Sequence, residues 1–153
     1  MADTSLNENR LALLIWQTSN LWQSKVRQKL KESEITLNEY LILETIYLLQ
    51  QQKINITQKD ICINASIDRS VVSLRVSSLE EKKLISKQQP QDKRSDSLIL
   101  SEAGNELINN IIDNIVELEN ELFNKLGSEI FNFTNSLKLL LGKKIRIRAK
   151  LND

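Results

Sequence analysis

The sequence predicts a mainly α chain with a small β-wing: a winged helix-turn-helix flanked by long N- and C-terminal dimerisation helices. Three observations carry this expectation. The 153 residues include only 3 glycines and 1 proline, too few for the turns of a sandwich or barrel. Between Thr57 and Gly104, two short helical patterns precede two alternating segments set around a charged turn. At both ends, apolar stripes run longer than one small lobe can cover, so part of each is assigned to a subunit interface.

The elements follow in order. Leu6 to Lys31 is helical in pattern, with Leu11, Leu14, Ile15, Thr18, Trp22, Val26 and Leu30 on one face. Thr36–Gln51 is the next helix, and Thr36 with Glu39 three residues on makes a capping box. Ile54–Ile56 is expected to add a short strand to the wing. Thr57 caps a helix carrying Ile61 and Cys62, the chain turns at Asn64–Ser66, and Asp68 is the expected cap of a second helix. There Val72, Val76 and Leu79 form one buried stripe, while Ser70, Ser73 and Ser77 fall on the opposite face, a short polar surface suited to a groove floor.

Leu84–Gln89 and Leu98–Leu100 read as the wing strands, joined by the charged turn Pro90–Ser95. Ser101 caps a long helix to Gly127, with Gly104 in its first turn. That helix pairs an apolar stripe with an acidic, solvated face. Ser128 is the expected cap of a last helix, followed by a basic tail that includes Lys143, Lys144 and Arg146. The domain reading is residues 1–35 as a dimerisation helix, 36–100 as the winged helix-turn-helix and 101–153 as C-terminal dimerisation helices, all in one compact subunit.

Charge and composition narrow the function. The net charge is +1, yet Arg69, Arg75, Lys82, Lys83, Lys87, Lys93 and Arg94 outnumber Glu80, Glu81 and Asp92 between them. This local excess is the footprint of a polyanion site. With 0 histidines and 1 cysteine, Ser-His-Asp and Cys-His catalysis, the commonest metal ligand and an intrachain disulfide all drop out. No catalytic residues, metal or cofactor are expected. No apolar run suits a membrane span and no leader pattern is present, so the expected location is the cytoplasm. Cys62 is read as a small buried residue at the helix crossing.

Asp92-Lys93-Arg94-Ser95-Asp96-Ser97-Leu98-Ile99-Leu100-Ser101-Glu102-Ala103-Gly104 resembles the wing signature of the MarR family, D-x-R-x-x-x-L-x-L-[ST]-x-x-G, at all its fixed positions. Leu79-Glu80-Glu81-Lys82-Lys83-Leu84-Ile85 resembles the segment ending that family's recognition helix, with Lys83 where glycine is usual. Leu74-Arg75 inverts a frequent basic-then-apolar order. The resemblance is strong over the central third and extends to the flanking helices in arrangement only.

It implies a homodimer on a palindromic double-stranded DNA site, with half-sites about 34–36 Å apart. The function it implies is sequence-specific transcriptional regulation, as a ligand-responsive repressor. On this reading Arg69, Ser70, Val71 and Ser73 enter the major groove, with Val71 against a thymine methyl group. Arg75, Thr57 and Gln58 meet phosphate, and Lys87 and Lys93 belong to the basic wing. Arg94 reaches the minor groove, held by Asp92. The resemblance also implies a small aromatic or lipophilic effector between the dimer helices and the DNA-binding lobe. Trp16, Trp22, Tyr40 and Tyr47 either line that pocket or are core. The competing reading is a winged-helix protein-interaction module without DNA binding.

Overall fold

Apolar periodicity and two capping boxes place most of the helices. The computed structural model describes residues 9–88 and 97–146, which divide between two compact units, residues 1–116 and 117–153. In the first unit, α1 runs Leu11–Leu30 and passes through a 3-10 turn, Lys31–Ser33. Glu34 then turns the chain with left-handed backbone, φ 55°. Helix α2, Leu37–Leu49, begins with the expected box: the Thr36 hydroxyl accepts from the Glu39 amide, and the Glu39 carboxylate accepts from the Thr36 amide. Helix α3, Gln58–Ala65, starts with a second box formed by Thr57 and Asp60.

Helix α4, Arg69–Glu81, buries Val72, Val76 and Leu79 completely. Ile42, Leu43 and Ile46 of α2, Ile61 of α3, and Val26 and Leu30 of α1 are buried with them, as α4 packs on α2 and α3, and α1 packs on α2. Helix α4 closes with a Schellman turn, in which the Leu84 amide reaches the Leu79 carbonyl and the Lys83 amide reaches that of Glu80. Lys83 takes the left-handed position at φ 60°. Strands β1, Ile85–Gln88, and β2, Ser97–Leu100, pair antiparallel with Ile85 opposite Leu100 and Gln88 opposite Ser97.

Helix α5, Glu102–Phe123, is locked to the end of α4. The Ser101 hydroxyl accepts from the Gly104 amide and donates to the Lys83 carbonyl, while the Ser101 amide donates to the Leu84 carbonyl. Gly104 is required here by close approach: a Cβ would overlap the Leu84 carbonyl oxygen. Ile108, Ile111 and Ile115 of α5 complete the core of the first unit.

The second unit holds the end of α5, a 3-10 segment at Asn124–Glu129 and helix α6, Ile130–Leu140. Helix α6 ends in a further Schellman turn, with Gly142 at φ 67° and the Lys143 amide on the Lys138 carbonyl. The Asn135 side chain accepts from the Arg146 amide and donates to its carbonyl, fastening the chain that leaves α6.

Several element boundaries differ from expectation for local reasons. Ile54–Ile56 forms no strand. Ile54 is 90% exposed, and only Ile56 bonds to the wing, through its carbonyl to the Leu98 amide and its amide to the Ser97 hydroxyl. Asp68 makes no side-chain cap; its backbone carbonyl takes the Val72 amide instead. Helix α5 stops at Phe123 rather than Gly127. Gly127 adopts φ 55°, which breaks the helical path and leaves Ser128 inside the 3-10 segment, so α6 begins at Ile130 without a side-chain cap. Residues 6–8 of the first helical pattern lie outside the described residues. Among the described residues no helix is long and apolar enough to cross a membrane.

Candidate nucleic-acid interface

The two helices that carry the candidate residues are joined by a turn in which Ser66 has φ 52°. At the head of α3, both polar groups of Thr57 are engaged. Its amide and hydroxyl donate to Asp60 Oδ2 at 2.9 and 3.0 Å, and Lys53 Nζ stands 2.8 Å from the same oxygen. Partial burial pushes the Asp60 carboxyl up, but the Lys53 ammonium and the Thr57 groups outweigh it and hold it below its ordinary range. The Thr57 amide and hydroxyl are thus both held by the Asp60 carboxylate. Gln58 follows, half-buried.

Helix α4 presents a different surface. Arg69, Ser70 and Ser73 are exposed, as expected of contact residues, whereas Val71 is half-buried on the flank. Leu74 is 63% exposed, a position that the serine pattern did not single out. Helical spacing signals it, since Leu74 lies one turn beyond Ser70. Arg75 is also half-buried, and its Nε is buried without a hydrogen-bond partner. Such a buried donor costs stability while it has no acceptor.

The lysines divide. Lys87 on β1 lies 3.2 Å from Glu80, with both side chains about one-third exposed. Pairs of this kind contribute about 0–1 kcal/mol, so Lys87 is easily released to another anion. Lys82, counted above in the basic excess, is instead committed to a buried carboxylate. Its ammonium sits 3.0 Å from the buried Glu39 carboxylate and donates to the Glu34 carbonyl at 2.8 Å. Ser78 also donates to Glu39, at 3.3 Å. Burial pushes the Glu39 carboxyl up, but Lys82 and the Thr36 amide and hydroxyl together hold it below the ordinary value of 4.5. The network ties the end of α4 to the start of α2. Sequence reading found only its capping half, because Glu39 and Lys82 are 43 residues apart.

Asp92, Lys93 and Arg94 lie outside the described residues. The four aromatic candidates for a ligand pocket take separate roles. Tyr40 is core at 1% exposure, Trp16 is 64% exposed, and Trp22 and Tyr47 are half-buried. A groove of about 490 Å³ in the first unit is lined by other residues, among them Ile35, Lys82, Leu84, Glu106 and Leu107. Cys62, the lone cysteine, is half-buried on α3.

Comparison with known proteins bears on this surface. A model of the MarR family matches residues 35–95. An uncharacterized HTH-type transcriptional regulator of Bacillus subtilis (strain 168), YdcH, is 31% identical over 129 residues, covering 84% of this chain and 87% of that protein. The S. aureus MepR–DNA complex superposes with a TM-score of 0.79 at 26% identity, over 89% of this chain and 97% of that one. S. aureus MepR in its DNA-binding conformation gives 0.75 at 28% identity, over 86% and 96%.

Proposed function

Because this chain belongs to the MarR family, we propose that it is a sequence-specific transcriptional regulator of double-stranded DNA: a repressor that binds a palindromic operator as a homodimer and is released by a small ligand. The observation that carries this reading is the face of α4. It is exposed, carries Ser70, Ser73 and Ser77 around Leu74 and is flanked by Arg69 and Arg75, on a chain that superposes on MepR bound to DNA. In this mechanism α4 enters the major groove. Arg69 and the hydroxyls of Ser70 and Ser73 meet the base edges, and Arg75 takes a phosphate on the buried donor that otherwise lacks a partner. Lys87 leaves Glu80 for the backbone. Arg94 reaches the minor groove with Asp92 setting its guanidinium, as the wing signature implies.

A dimer is supported by the apolar side chains left in water on two helices. On α1 these include Leu11 at 75% and Trp16 at 64%; on α6 and the turn after it, Leu139, Leu140 and Leu141 are each above 60% exposed. A second copy supplies the burial that the single chain lacks. The effector is proposed to be a small aromatic or lipophilic compound. The groove beside Ile35, Leu84 and Leu107 is a better candidate than the four aromatics, and a chemical panel scored by release of labelled DNA tests it.

The test of the main reading is fluorescence anisotropy of duplex DNA from the gene's upstream region. Wild type and Arg94→Ala are titrated at low and moderate salt. Saturable binding that weakens with salt and falls at least tenfold in the variant is expected. Equal binding by both proteins removes the role given to Arg94. Failure to enrich any duplex from a random pool favours the protein-interaction reading.

A further inference from the structure

We infer that Leu74 is a specificity-determining residue that reads the C5-methyl group of a thymine in each half-site. This deepens the proposed DNA-binding function and rests on it. At 3.6 residues per turn, Leu74 falls almost diametrically opposite Val72 and Val76, both of which are completely buried. It therefore sits at the crest of α4, the line that goes deepest into any groove the helix enters. Ser70 and Ser77 flank it on the same crest and are exposed. Their hydroxyls are short and discriminate bases weakly.

The one large side chain there is thus a leucine with 63% of its surface in water. Nothing in its own unit covers it. The occupant that fits is the major groove. Arg69 and Arg75 bracket the crest along the helix and supply charge complementary to phosphate, while the groove floor offers an apolar atom group in the thymine methyl alone. Val71 is the alternative apolar reader on this helix. It is half-buried and lies about 60° round the helix from Leu74, on the shoulder of the crest that the core partly covers.

The experiment begins with duplexes selected from a random pool by the full-length protein. Each thymine is replaced in turn by deoxyuridine, which removes only the methyl group. Kd is then measured for wild type, Leu74→Ala and Val71→Ala at fixed salt. Burying one methyl group is worth about fourfold in Kd. Wild type is expected to lose about fourfold per half-site at one thymine position. Leu74→Ala should bind thymine and uracil duplexes equally, about as weakly as wild type binds uracil. Val71→Ala should keep the wild-type discrimination. Thermal melts of the variants control for folding, and alanine at an exposed helical position is well tolerated.

Persistent uracil sensitivity in Leu74→Ala, or its loss only in Val71→Ala, overturns the assignment. So does tight, salt-dependent wild-type binding with no uracil-sensitive thymine, which leaves the DNA-binding function standing. Absence of salt-dependent binding to any duplex overturns both.

Discussion

Lys83 holds a backbone conformation that suits glycine. Its φ of 60° completes the Schellman turn after α4, and a side chain in that region costs about 1–2 kcal/mol. Part of that is returned because glycine is freer in the unfolded chain. Lys83→Gly is therefore expected to raise stability by about 1 kcal/mol, read as a higher urea midpoint at unchanged slope. An unchanged or lower midpoint would show that the Lys83 side chain contributes contacts that outweigh the strain. Gly104 is the converse case. Its missing Cβ makes room for the Leu84 carbonyl, so Gly104→Ala must displace backbone and should cost about 3 kcal/mol, with a matching drop in thermal midpoint. The sequence motif flagged both positions. The close approach at Gly104 was not visible there, because it depends on where the Leu84 carbonyl points after folding.

Among the elements, α4 carries core packing and, on the proposed function, the DNA contacts, and the two compete at Arg75. Replacing it by Met removes a buried donor that lacks an acceptor, so Arg75→Met is expected to stabilise the free protein by about 1 kcal/mol. The same variant should weaken DNA binding and reduce the salt slope by about one. A stability loss would mean that the guanidinium is already satisfied in solution.

The anchoring of α4 through Lys82 to Glu39 sets a pH dependence. The Glu39 carboxyl is held below its ordinary value of 4.5, so the folded state favours its ionised form. Its contribution is fully present above the unfolded value and is lost as pH falls through the lower folded value. Stability should therefore drop with acidification below about pH 4.5. Glu39→Gln should cost about 1–2 kcal/mol at pH 7 and flatten that acid limb. An acid limb unchanged in the variant would place the dependence elsewhere, with Asp60 as the next group to replace. The capping half of this network, Thr36 with Glu39, was legible because it is three residues long. The Lys82 half was not, since periodicity gives the direction of a lysine stem but not its distant partner. For the same reason the basic excess read from the sequence overstated the charge left unpaired, since Lys82 is held by Glu39.

For the whole molecule, the apolar faces left in water argue assembly. Leu140 is 75% exposed at the end of α6, and Leu140→Asp is expected to shift the protein toward monomer in sedimentation velocity. DNA affinity should fall at least tenfold with it, because a palindrome is then held by one half at a time. A variant that stays dimeric would place the interface elsewhere. The long terminal stripes were legible from the sequence as an excess of apolar surface. The placement of the aromatics was not: Tyr40 and Trp16 both sit among apolar residues of a helix, yet one is core and the other lies in water.

The Ser101 hydroxyl, bonded at once to the Gly104 amide and the Lys83 carbonyl, leaves no slack between the end of α4 and the start of α5. Connections between helices usually act as springs that absorb displacement. Here the joint is closer to a weld. A torque applied to the first turns of α5 is therefore expected to reach the carboxyl end of α4 through these bonds. The choice of serine and glycine three residues apart thus sets the mechanical stiffness of the wing's root as well as its geometry.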